Sequence, residues 1–197
     1  MSHTPPRSYD KFPTVTVPGG HRAWTGREAW LQIAAHGPVR QPIVVDAYPG
    51  VDLAGLVDFL GEVLPQHRIL DVEDFAARPL AETDALIAAH LTDDRVFGVL
   101  RHHTLADFYD AQKLADLAGQ VSASDTPVVL VGWGAALVPL PERTLVLAGM
   151  ARWELQQRQR AGAPNWRCSN TDEDNLRKYK RSFFVEWRVA DRHKRAL

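Results

Sequence analysis

The chain is short of the residues that announce covalent or phosphoryl chemistry. It has one cysteine, Cys168, which excludes an intrachain disulfide and fits a reducing compartment. It has only five lysines, and no Gly-Lys-Ser/Thr occurs anywhere. ATP-dependent phosphoryl transfer by a P-loop needs that Lys on the terminal phosphates and the hydroxyl on magnesium. No apolar run approaches the roughly 18 residues that span a bilayer. Met1-Ser-His-Thr-Pro-Pro-Arg7 also lacks the apolar core of a secretory signal. No membrane association is expected, and the cytoplasm is the expected location. The eight histidines are scattered, with only His102 and His103 adjacent, and no Cys or His spacing suits zinc, so no metal is expected in this chain.

What is present suits one domain. A chain of 197 residues is long enough for a full core and short for two. Residues 1–20 hold Pro5, Pro6, Pro13 and Pro18 before Gly19-Gly20 and read as an extended N-terminal segment, leaving 21–197 as the domain. Net charge is −1, but it is unevenly spread. From Ala151 onward twelve Lys and Arg face six Asp and Glu, leaving the first 150 residues acidic. Such asymmetry implies an anionic partner for the C-terminal third: a phosphate, a nucleic acid, or the acidic body of the same chain.

The organising stretch is Thr126-Pro-Val-Val-Leu-Val-Gly-Trp-Gly134. An apolar, β-branched run bounded by Pro and Gly reads as a strand buried on both faces of a parallel sheet. Gln41-Pro-Ile-Val-Val-Asp46 is a second such strand, with Asp46 at its end, a Pro49-Gly50 turn, and Asp52 capping the next helix. In that helix Leu53, Leu56, Val57, Leu60 and Leu64 share one face. Further strands are predicted at His67–Asp71, Arg95–Leu100 and Arg143–Leu147, and helices at Thr25–Ala35, Ala81–Leu91 and Thr104–Val121. Thr25 with Glu28, and Thr104 with Asp107, have capping-box spacing. Alternating strands and helices imply a doubly wound α/β sheet of five mainly parallel strands. The last third is helical and basic: Met150–Ala161, then a helix starting at Thr171-Asp-Glu-Asp174. On the latter, Leu176, Tyr179, Phe183, Trp187 and Ala190 form an apolar face beside a stripe of Arg177, Arg181, Arg188, Arg192 and Arg195.

Several groups invite chemistry. The loop Asp46-Ala-Tyr-Pro-Gly-Val51 stands where a phosphate loop would, without its Lys and with one N–H removed by Pro49. Gly132-Trp-Gly134 opens like a dinucleotide fingerprint, but Leu137 occupies the third glycine position, so a strand-ending turn is the simpler reading. Asp71, Glu73 and Asp74 offer a general base or a magnesium site at a strand end, with a solvated acidic loop as the simpler reading. Cys168 has Arg167 beside it and no identifiable base. Arginine forks suit phosphate and carboxylate, so the C-terminal helices read as a lid, an anion cradle, or a set of internal salt bridges. A nucleic-acid reading, with Trp153, Trp166 and Trp187 as stacking partners, lacks any recognition motif.

Tyr48-Pro-Gly-Val51, Thr92-Asp-Asp-Arg-Val-Phe-Gly98, Ala151-Arg-Trp-Glu154 and the long stretch Arg177–Lys194 resemble the N-terminal region of the long bacterial (class I) form of mannose-6-phosphate isomerase. The likeness runs from about Lys11 over most of the chain. It implies a uridine- or nucleoside-kinase-like domain with a degenerate P-loop, placed ahead of a cupin isomerase domain. Gly132 and Trp133 stand where uridine kinases carry Glu-Gly at a strand end. The isomerase's zinc-binding Gln-x-His-Pro is absent, so zinc is expected only in an associated cupin domain or subunit, and no cofactor in this chain.

The resulting expectation is a kinase-like domain without isomerase chemistry of its own. It would bind a phosphorylated sugar or nucleotide, or dock on a cupin catalytic domain. The candidate ligand contacts are Tyr48, Gly50, Gly132 and Gly134 at the strand ends. Arg152, Arg158, Lys180, Arg181, Arg188 and Arg192 join them from the basic helices. One rival is a divergent nucleoside or sugar kinase with Asp46 or Asp71 as base and Arg152, Arg158 or Arg181 on phosphates. Another is an interaction module presenting Phe184 and Trp187.

Overall fold

The computed structural model describes residues 14, 16, 18–38, 40–100 and 102–197. Most of the expected N-terminal segment, residues 1–13, 15 and 17, lies outside them. The protein is α/β, built on β1 (Ile43–Ala47), β2 (Arg68–Asp71), β3 (Val128–Gly132) and β4 (Thr144–Ala148). All pairings are parallel, in the order β2-β3-β1-β4. β1 and β3 are central and buried throughout, as their unbroken apolar runs require, whereas β2 and β4 are partly exposed edges.

Side chains alternate across the sheet. Val44, Val128 and Leu130 enter one core, with α3 (Val72–Ala76), α4 (Leu80–Leu91), α5 (Ala111–Ser122) and the C-terminal helices. Ile43, Val45, Val129 and Val131 enter the other, beneath α1 (Gly26–His36) and α2 (Leu53–Val63). The predicted α2 face is the one that packs there, and Asp52 caps the helix through the Gly55 N–H at 3.1 Å. Thr25 precedes α1 but makes no cap bond, and Glu28 pairs with Arg22 at 3.1 Å rather than reaching back to the Thr25 N–H, so the expected capping box does not form. Of the expected apolar side of α1, Trp30 and Ala34 pack on α2's core while Leu31 is exposed.

Three expectations need correction. First, Arg95–Leu100 is not a strand among the described residues, so the sheet has four strands rather than five. Asp94 Oδ1 accepts the N–H groups of Val96 and Phe97, curling the chain, and the Val99 N–H goes to the His90 carbonyl. Local side-chain bonds have outcompeted the ladder.

Second, the Thr104 box forms, with the Thr104 N–H on Asp107 Oδ2 at 2.8 Å, but it opens only a 3₁₀ turn, Leu105–Phe108. Asp110 then caps α5 afresh through the Lys113 N–H. Third, the last long helix is not regular. It runs as α7 (Asn175–Arg181), a π-helical turn (Ser182–Glu186) and α8 (Trp187–Ala196), after α6 (Arg152–Arg160). The wider turn rotates one half against the other. Lys178 and Lys180 are therefore buried before it, Ser182, Val185 and Glu186 within it, and Trp187, Val189 and Ala190 after it. Leu176 and Tyr179, placed on the apolar face by uniform periodicity, are exposed.

The turn after β3 is fixed by Gly134, at φ +97°, where a Cβ would lie 2.9 Å from the Tyr109 ring. Gly119 sits on the exposed side of α5 with nothing near its Cβ position. Gly134→Ala is expected to lower stability by about 1–3 kcal/mol, and Gly119→Ala to raise it by up to ~1 kcal/mol, in urea unfolding midpoints. Equal effects from the two would contradict this packing of the turn.

Candidate functional site

Open α/β sheets bind ligands beyond the carboxyl ends of their strands. Here β1 and β3 end together, Asp46 in register with Gly132. Asp46 is buried, and its Oδ2 accepts the Ala136 N–H at 2.9 Å and His193 Nε2–H at 2.9 Å. Just beyond, the Tyr48 hydroxyl donates to Asp191 Oδ1 at 2.9 Å, and Arg152 pairs with Asp191 Oδ2 while lying over the Trp187 ring. Burial, then the Asp191 contact, pushes the Tyr48 hydroxyl up to about 12. Strand end and α8 are thus joined by two buried or half-buried polar contacts. Among the expected contacts, the structure brings Asp46, Tyr48, Gly132 and Arg152 together here, and adds Asp191 and His193.

The glycine loop is filled. Gly50, at φ +91°, has Leu155 of α6 so close that a Cβ would lie 2.5 Å from Leu155 Cδ1. Arg158 donates to the Gly50 carbonyl at 3.2 Å and pairs with Glu154. The space left between this loop, α6 and Glu186 is about 20 Å³, room for about one water. A phosphate does not fit.

A second buried centre lies beneath β3. Glu73 Oε1 accepts the Trp133 N–H at 2.8 Å and Oε2 accepts Trp166 Nε1–H at 2.7 Å. The two indoles meet edge to face at 4.7 Å, and the Tyr109 hydroxyl donates to the Trp133 carbonyl. Burial is the main reason the Glu73 carboxyl moves from 4.5 up to about 7, against the pull of the two N–H donors. Asp71 caps α3 through the Glu73 N–H at 2.7 Å, and burial raises its carboxyl too. The acidic group, read as a solvated loop, is instead a helix start, with Glu73 turned into the core.

The remaining basic residues have mostly internal work. Lys178, fully buried, gives its ammonium to the carbonyls of Gln159 and Thr171 at 2.9 Å. Lys180 donates to the carbonyls of Thr92 and Asp94, closing the loop that replaces the expected strand. Arg181 bridges Asp84 at 2.8 Å and the buried Glu186 at 3.3 Å. A cleft of about 270 Å³ beside Lys180 and Arg181 also holds Cys168, whose thiol burial raises to about 11, leaving it a poor nucleophile. Arg188 and Arg192, both half-buried, line a separate cleft on α8 with Asp191 and Arg195. Trp187 is buried and Phe184 half-buried, so neither is presented to a partner; Trp153 is the exposed indole of this region. Among the described residues no three His, Cys, Asp or Glu side chains gather as metal ligands, and no helix is long and apolar enough to cross a membrane. Of these groups, His193 and Asp191 carried no signal in the sequence, because their partners lie some 140 residues away.

The Glu73 carboxyl gives a pH signature. Its folded value lies above its ordinary one, so its contribution is complete below about pH 4.5 and is lost as pH rises through about 7. Glu73→Gln removes that titration, and its amide leaves one of the two N–H donors without an acceptor, costing about 1–3 kcal/mol. In unfolding curves the gap between native and Gln protein should narrow from pH 5 to pH 8. A gap independent of pH would remove Glu73 as the titrating group.

No curated protein and no solved structure matches the chain. A protein family described as a domain of unknown function, DUF8485, matches residues 26–197, from the first helix through the last. The sheet, the filled loop and the C-terminal helices all fall within that match, and the chain belongs to the DUF8485 family.

Proposed function

We propose that the chain is a non-catalytic, nucleoside-kinase-like domain that docks on the cupin catalytic domain of a sugar-phosphate isomerase of the mannose-6-phosphate type. One observation carries the non-catalytic half: Leu155 and α8 fill the space beyond β1 and β3, where a kinase would hold phosphates. The central parallel pair, with β1 leading through a glycine turn into a capped α2, supports the kinase-like layout. The missing Lys and the Asp46 oxygen already holding two donors count against phosphoryl transfer.

Docking is supported by the open edge of the sheet. β4 pairs with β1 on one side only, and its Leu145 and Leu147 are 37% and 39% exposed. Beside it a cleft of about 430 Å³ runs along α1, lined by Trp24, Ile33 and Val146. An unprotected edge strand with apolar side chains is a surface that chains normally cover. The resemblance supplies the cupin domain as its cover, with any zinc held there.

Light scattering of the chain mixed with a cupin-only mannose-6-phosphate isomerase tests this reading. A complex that Leu147→Lys abolishes is expected, with no ATP turnover in the presence of mannose or nucleosides. Two separate masses at every concentration tried would sink the docking half. Turnover lost in Asp46→Asn would replace the reading by the kinase one.

A further inference from the structure

We infer that α8 carries a preformed site for a phosphate monoester, built by Arg188, Arg192 and Arg195. It stands whether or not the chain docks on a cupin domain. These residues follow the i, i+4, i+7 spacing that puts side chains on one helix face, and with Asp191 they line a cleft of about 210 Å³. Among the other arginines of the basic third, Arg152 is met by Asp191, Arg158 by Glu154, Arg167 by Asp74 and Arg181 by Asp84 and Glu186, while Arg160 and Arg177 have no carboxylate partner among the described residues. Among the described residues no carboxylate lies within 4 Å of Arg188, Arg192 or Arg195, because the ion pairs there do not include them. Asp191, the one acid in the cleft, has both oxygens taken by Tyr48 and Arg152.

Two of the three forks are already held in place. Arg188 stacks on the Phe183 ring at 4.5 Å and spends only its Nε–H, on the Phe183 carbonyl at 3.2 Å. Arg192 is anchored on the His103 carbonyl and, at 3.3 Å, on His102 Nδ1. A guanidinium has five N–H donors, so both retain some for a ligand, and Arg195 retains all of its own. Three like charges on one face repel one another unless an anion sits among them. Anchored forks bind without first losing rotamer freedom. Tetrahedral oxygens with two negative charges match them, and planar forks favour phosphate over a halide. The cleft is smaller than the roughly 300–1,000 Å³ of ordinary small-molecule pockets. It has room for a phosphate, and the rest of a ligand would extend out of the cleft without contacts from its lining.

The arginine Nε–Hε resonances, followed while inorganic phosphate, mannose 6-phosphate, AMP or mannose is added, test the inference. Saturable shifts of Arg188 and Arg192 are expected with all three phosphates and none with mannose. Equal affinity for mannose 6-phosphate and AMP supports a site that reads the phosphate alone. Arg195→Gln, exposed and outside the core, should weaken binding about ten-fold, and Arg158→Gln should leave it unchanged. Absence of saturable shifts at millimolar phosphates, or Arg188→Gln and Arg195→Gln both binding as the native protein does, overturns the site. Docking measured by light scattering is a separate readout, so either result can fail alone.

Discussion

The structure depends on a buried carboxylate. Asp46 ends the first strand, faces Gly132 across the central pair, and is enclosed by the turn after β3 and by the last helix. A buried charge without partners is far costlier than the same charge in water, so the fold must bring donors to it. It brings a backbone N–H from Ala136 and an imidazole from His193. In an α/β protein with an open ligand site that end of the sheet would face solvent or substrate. Here the same place is a joint, and α8 is held on it by Asp46, Tyr48 and Trp187 together.

The uneven charge of the chain is met only in part inside the fold. Arg181 meets Asp84 of α4, Arg167 approaches Asp74 of α3 at 3.8 Å, and Arg95 pairs with Asp174. The exposed pairs contribute little, typically under about 1 kcal/mol each. Buried groups matter more. Glu186, in the π-helical turn, accepts from Asn165, Trp166, Arg181 and Ser182, so the irregular turn sits where one carboxylate organises four donors. Subtracting these internal pairs leaves the α8 arginines, with Arg160 and Arg177, without a carboxylate partner among the described residues, and of these only the α8 set lines one cleft together.

How far the sequence foretold this depended on how local the signal was. Ile43–Val45 and Val128–Val131 are uninterrupted apolar runs between Pro or Gly and turns, and both became central strands. Asp52 caps α2 as expected because capping is decided within a few residues, whereas the helix placed from Thr171 starts only at Asn175, with Asp174 as its cap. Arg95–Leu100 has strand-like composition, yet Asp94 and the His90 carbonyl claim its N–H groups first. The apolar face of the last helix was misplaced because a helical wheel assumes uniform turns, and the five residues from Ser182 do not obey it. At the site, Asp46 was legible from its place at a strand end. Leu155 over Gly50 was not, since an apolar residue on a basic helix gives no hint of which loop it fills.

Joining residue 46 to residue 193 also orders events in time. While the chain is being synthesised, both central strands and the turn after β3 are available before His193 exists, so the carboxylate has its Ala136 donor before its imidazole one. Burial of this strand end thus depends on a partner 147 residues further along the chain, so the two ends of the domain stand or fall together.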